Sequence, residues 1–180
     1  MSTPTDSGVN QPRMDAGMPD YSDPNGDDSE ALSRDRIPVR SMREDDLNSV
    51  VRIDAKLTDR DRRDYFAAKL KEVMSETGVR VSLVAEVDDL PVGFIMARVD
   101  FGEFGQTEAA AIIDTLGVNP DHGKGGVASA LLSQLLINLE ALNVENVRTR
   151  VDWNNLGLLG FLGAKGFAPG QQLSLIKKID

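Results

Sequence analysis

The chain has 180 residues, 41% of them hydrophobic, a net charge of −9 and no cysteine. That length predicts one domain with a core, and the acidic balance argues against a nucleic-acid partner. The missing cysteines exclude disulfides, thiolate metal sites and a cysteine nucleophile; no apolar run reaches the roughly 18 residues of a membrane span, and no secretory leader is visible, so the expectation is a cytoplasmic protein without a membrane partner.

Residues 1–35 hold eight acidic and two basic residues among Ser, Pro and Gly. A net charge of −6, out of −9 for the whole chain, therefore falls there. Too little apolar surface offsets the ordering entropy, so a disordered acidic tail is predicted. Residues 36–180 are the predicted folded domain.

Ile37 to Ser41 reads as a first strand. Met42 to Asp46 opens a helix with carboxylates in its first turn, and Leu47, Val50, Val51 and Ile53 give it an apolar side. Thr58 is predicted to cap a second helix over Asp59 to Met74, with Tyr65, Phe66, Leu70 and Val73 at helical spacing and Gly78 as its stop. Val81 to Val87 alternates, Asp88 to Pro91 turns, and Val92 to Val99 returns, which predicts an antiparallel hairpin. Phe101 to Glu108 is a loop. Ala109 to Val118 is a further strand, interrupted by Asp114.

Asn119-Pro120-Asp121 ends that strand, and Gly123-Lys124-Gly125-Gly126 leads into a helix from Val127 to Leu142. A strand, a glycine turn and a helix N-terminus make an anion site, because outward amides and the helix dipole both favour negative charge. A nucleoside triphosphate loop needs G-x-x-x-x-G-K-[ST]; Gly126 follows the lysine here, so that reading fails. A dinucleotide fingerprint matches Gly123 to Ala128, but it normally opens a doubly wound sheet. Here a meander of strands precedes it. Coenzyme A is the third ligand. The helix from Val127 is apolar almost all round, including Leu136, which predicts cover on more than one side. Val144 to Val151 is a strand, Asn155 to Lys165 a helix stopped by Gly166, and Leu173 to Ile179 a last strand. Trp153, at a strand end, is expected to pack. His122 reads as a turn residue, and no second histidine makes it a metal site.

The order β-α-α-β-β-β-α-β-α-β, with the glycine turn after the fourth strand, resembles the GNAT acetyltransferase superfamily. Val118-Asn119-Pro120, Gly126, Ala128 and Ala130-Leu131-Leu132 look like its acyl-CoA motif, with Gly123 where the family often has Gln or Arg. Asn155, Phe161, Gly166 and Phe167 match a second motif of the family, with Leu162 at the place of its frequent tyrosine. The resemblance implies an α/β (α+β) fold: a mixed, mostly antiparallel central sheet flanked by helices. It implies acetyl-CoA as co-substrate and no metal. It places pantetheine in a gap beside Leu116, Gly117 and Val118. The diphosphate falls at Gly123, Lys124, Gly125, Gly126, Val127 and Ala128, with Asn155 nearby.

Transfer of an acetyl group to an amine needs a base, because an alkylamine has a pKa near ~10.4. Asp114 is the first candidate, with a carboxylate that only fixes a strand bulge as the alternative. Glu108 is the second, ahead of Glu86 and Glu103. With Leu162 in place of tyrosine, water or Tyr65 is left to meet the departing thiolate. The implied activity is N-acetylation of a primary amine, a protein lysine or a small molecule. A non-catalytic acyl-CoA sensor is the rival. Monomer and homodimer are both compatible with the sequence.

Overall fold

In the computed structural model, residues 36–74, 80–101, 109–170 and 176–179 are described. Along them run β1 (Val39–Ser41), α1 (Leu47–Thr58), α2 (Arg63–Met74), β2 (Arg80–Val87), β3 (Leu90–Phe101), β4 (Ala109–Val118), α3 (Val127–Glu140), β5 (Asn146–Thr149) and α4 (Leu156–Ala164). The strands form one sheet in the order β1-β2-β3-β4-β5. The first three pairings are antiparallel and β4 pairs with β5 in parallel. This is the mixed, mostly antiparallel sheet that the resemblance implies. The acidic tail, the 102–108 loop and Gly78 lie outside the described residues. So does part of the expected last strand; its described part, 176–179, is not in a strand.

Each face of the sheet has its own core. On one face α3 lays Val127, Ala130, Leu131, Leu135 and Leu139 against Leu83, Ala85, Ile95, Ala97 and Ile113. On the other, α1 and α2 bring Val50, Ile53, Phe66 and Leu70 to Val84, Phe94 and Met96. Phe66 and Phe94 are fully buried and meet edge to face at 5.6 Å. Burying such a ring contributes roughly 2–3 kcal/mol, and its edge-to-face contact somewhat more.

The helix α1 is entered through a 3-10 turn over Glu44–Asp46. Asp46 accepts from the Arg43 amide at 2.7 Å and, through both oxygens, from Arg40 at 2.7 and 2.8 Å. The carboxylate is thus buried but satisfied. Asp54 is likewise buried and paired bidentately with Arg62. Thr58 does not cap α2; it is the last residue of α1 and donates back to Asp54 O at 2.9 Å. Asp59 ends α1 in the left-handed region at φ 54, and α2 starts only at Arg63. The β2–β3 turn is tighter than expected. Asp88 and Asp89 carry φ of 51 and 59, Val87 already faces Leu90, and two positive φ values match the twist of a two-residue hairpin. On α3, Leu136 is 37% exposed rather than covered.

Candidate active site

The site begins with a fault in β4. Met96 faces Thr115 and Ala97 faces Ile113, so Asp114 is the extra residue of a bulge. An extra residue shifts the alternation of a strand by one. Ala109, Ala111 and Ile113 point to the α3 core before the bulge, and Leu116 and Val118 do so after it. Pairing with β5 stops at the same place. It runs only from Ala110↔Asn146 to Ile113↔Thr149. From Asp114 to Val118 the strand has no β5 partner, so one edge of its main chain is open among the described residues. β5, at Asn146–Thr149, is shorter than the Val144 to Val151 expected from the sequence. Gly117 is required within this stretch: a Cβ there would lie 2.6 Å from Phe94 Cε1.

Beyond Val118 the chain makes a 3-10 turn, Pro120–His122. The amides of Gly123 and Gly125 donate to Pro120 O and His122 O at 3.2 and 3.1 Å. These two glycines therefore close the turn with their own amides. Gly126 takes φ 79 and is the N-cap of α3, with no side chain capping that end. The first helical bond is Ala130 N to Gly126 O. The amides of Val127 and Ala128 precede it, so no acceptor within the helix takes them. With Lys124 exposed beside them, they form a cradle for an anion.

Asp114 turns toward α2. Its carboxylate accepts from Arg98 of β3 and from Lys69 of α2, the latter at 3.3 Å. Lys69 also lies 3.6 Å from Glu72, which lies 3.2 Å from Arg80. Asp114 thus ties the bulge to two neighbouring elements. Glu108 and Glu103 lie outside the described residues, and Glu86 is taken by Arg40 at 2.8 Å.

Asn155 caps α4: its Oδ1 accepts from Leu158 N at 3.2 Å. Leu162 is 5% exposed and belongs to the α3-side core. Trp153 is 92% exposed, which corrects the expectation that it packs. His122 is partly buried, its amide bonded to Asn119 O at 2.8 Å. No group of acidic, histidine or cysteine side chains among the described residues could hold a metal ion. No described helix is long and apolar enough to cross a membrane.

Sequence reasoning missed three cations of this region. Lys69 and Arg98 hold Asp114, and Lys56 of α1 donates to Asp121 Oδ2 at 2.7 Å. The only local signal was the lone Asp114 in an apolar strand, which asks for a partner without saying which.

A glycine turn into an uncapped helix, beside two strands that part, defines an acyl-CoA N-acyltransferase-like fold. The family model described as "Acetyltransferase (GNAT) family" matches residues 44–167. The chain belongs to that family. No curated protein sequence matches the chain. Solved structures of similar fold include the aminoglycoside 6'-N-acetyltransferase AAC(6')-Ih from Acinetobacter baumannii. It is 18% identical, with 80% of this chain and 99% of that chain covered and a TM-score of 0.68. AAC(6')-Iy, in complex with the bisubstrate analog CoA-S-monomethyl-acetylneamine, is 16% identical, with 80% and 99% covered and a TM-score of 0.69. A ribosomal-protein-alanine N-acetyltransferase from Brucella melitensis biovar Abortus 2308 is 19% identical, with 80% and 99% covered and a TM-score of 0.64. At these identities the likeness is one of fold.

Proposed function

We propose that the protein moves an acetyl group from acetyl-CoA to the primary amine of a protein lysine, by direct attack of the amine on the thioester. The parting of β4 and β5 after Ile113 and Thr149 carries the acetyl-CoA part of this reading. It leaves one strand edge free, which suits an extended arm that bonds to main chain as an added strand would. In this reading Leu116, Gly117 and Val118 line the pantetheine arm. Lys124 and the amides of Gly126, Val127 and Ala128 receive the diphosphate. Gly123 and Gly125 contribute by shaping the turn, and Asn155 by holding α4. The residues fit the ligand in kind: amides with no acceptor among the described residues, an uncapped helix end and a lysine. Acetyl-CoA supplies the activated acyl group. Main-chain amides beside the open edge would meet the carbonyl oxygen, and a donor aimed at a developing oxyanion is typically worth roughly 3 kcal/mol.

The amine must lose a proton before it attacks. Asp114 is the proposed base, acting through water. A carboxylate has about four lone-pair sites, and Arg98 and Lys69 take one each. Glu108 is the second candidate. The departing thiolate is met by water or by Tyr65, whose ring lies 5.9 Å from Lys69 Nζ.

A protein acceptor is supported by the exposed apolar residues that follow β5, Trp153 and Leu156, at 92% and 74% exposure. Mass spectrometry of candidate proteins incubated with enzyme and acetyl-CoA is expected to find acetyl-lysine. Acetylation confined to free small amines would overturn the protein acceptor and leave the acyltransferase. A small-molecule acceptor is the second reading, favoured by the fold shared with AAC(6')-Ih and AAC(6')-Iy over 99% of their chains. Thiol release with an aminoglycoside panel tests it. Coenzyme A binding with no thiol release across proteins and small amines would favour the sensor module instead.

A further inference from the structure

Lys56 belongs to no motif. It lies in the last turn of α1, yet its Nζ reaches Asp121 Oδ2 at 2.7 Å and Asn119 Oδ1 at 3.2 Å. Both acceptors sit on the turn that leads into the anion cradle. Asn119 also binds the opposite side, its amide donating to Val92 O of β3 at 2.8 Å. The turn is therefore held between α1 and β3. The next residue of α1, Leu57, comes within 3.3 Å of the place a Cβ on Gly117 would occupy. Adjacent residues of one helical turn thus reach both the face of β4 at Gly117 and the turn that follows it.

Pair exposure says what the contact is for. Lys56 and Asp121 side chains are 45% and 68% exposed, and such pairs add little to stability. Their position is another matter. Asp121 is the only acidic residue between Asp114 and Glu140, two positions before Gly123. An anion approaching the cradle meets that carboxylate at close range, where salt screens it incompletely. The hydrogen bond from Lys56 also holds the Asp121 carboxyl below the usual carboxylate range. An aspartate is ionised at neutral pH with or without such a partner, so the Asp121 charge persists when Lys56 is removed.

We propose that Lys56 is a positioning residue for the diphosphate site: it cancels the Asp121 charge and fixes the Asn119–His122 turn, so that the cradle at Lys124 to Ala128 accepts the diphosphate of coenzyme A. The assignment rests on the acetyl-CoA reading above. It differs from a direct phosphate contact in one respect: the harm done by losing Lys56 comes from the carboxylate it leaves behind.

The test is coenzyme A binding by calorimetry and acetyl-CoA kinetics on the full chain, with Lys56→Gln, Asp121→Asn and the double variant. Lys56→Gln is expected to raise the Kd of coenzyme A and the KM for acetyl-CoA about fivefold, with kcat and Tm unchanged, as an exposed charge at short range would. The penalty is expected to shrink in about 0.5 M salt. The double variant is expected to return to within about twofold of Asp121→Asn alone, since both sites are then neutral. Wild-type affinity in Lys56→Gln overturns the assignment. So does a loss that Asp121→Asn does not restore, because the unpaired carboxylate would then not be the source of the harm. A wild-type chain that binds no coenzyme A overturns the cradle itself, and shows this before any variant is made.

Discussion

The part of the molecule built from β1, β2, β3, α1 and α2 differs in kind from the part built from the end of β4, β5 and α4. In the first, β2 and β3 pair over almost their whole length. Two buried carboxylates, Asp46 and Asp54, are each matched by an arginine, and Phe66 and Phe94 fill one face. In the second, β5 pairs with four residues of β4 and then leaves it, and Trp153 and Leu156 stand in solvent. The difference teaches where stability is located. A strand edge that must stay open cannot contribute ladder bonds, so the neighbouring region carries the fold and holds the site rigid. Asp114 lies on the border, with its backbone in the open strand and its carboxylate tied to the closed side.

The comparison breaks most easily at Phe94. Phe94→Ala is expected to cost about 3–5 kcal/mol, since it removes a fully buried ring and leaves a cavity under Gly117. Urea denaturation measures it. A loss under about 1 kcal/mol would mean that the closed region is not where stability resides.

Next is the border. Asp114→Asn is expected to keep coenzyme A affinity and lower kcat at neutral pH about a hundredfold, the low end for a positioned base. Unchanged turnover moves the proton to Glu108 or to water and leaves Asp114 as the lock of the bulge.

A smaller effect sharpens the comparison through pH. Burial pushes the Asp46 carboxyl up, but the hydrogen bonds from Arg40 and the Arg43 amide outweigh it, and the group ends below its ordinary value. A carboxyl depressed in the folded state stabilises above its unfolded pKa, near ~3.9, and that contribution is lost as pH falls through the folded value. Asp46→Asn is therefore expected to cost about 1–3 kcal/mol at neutral pH and to flatten the acid limb below pH ~4. A limb as steep as wild type in thermal melts would assign acid sensitivity to another group.

Much of this plan was legible in the sequence because its signals are local. Alternation over Val81 to Val87 gave β2, and Gly123 to Gly126 before an apolar run gave the turn and α3. What failed depends on distant residues. Thr58 and Asp59 are residue types that start helices as readily as they end them, and Arg62, pairing with Asp54, tips the choice. The bulge appeared only as one polar residue in an apolar strand. Lys56 meets Asp121 across 65 positions, and no spacing rule reports such a pair. Trp153 looked like a core residue by type, but whether a strand end is covered depends on what the rest of the chain lays over it.

The smallest expected effect is at that tryptophan. At 92% exposure, its ring has little packing to lose, and Trp153→Ala is expected to change stability by less than about 0.5 kcal/mol. Its effect should fall instead on the acceptor. If the exposed segment after β5 receives a protein, removing a large apolar side chain there raises KM for the protein substrate and leaves KM for acetyl-CoA unchanged, because interfaces concentrate their energy in such residues. Kinetics with a peptide and with a small amine on the same variant separate the outcomes. A rise for the peptide alone marks the open region as a docking rim, whereas a fall in Tm with no kinetic change would show that Trp153 supports the fold after all.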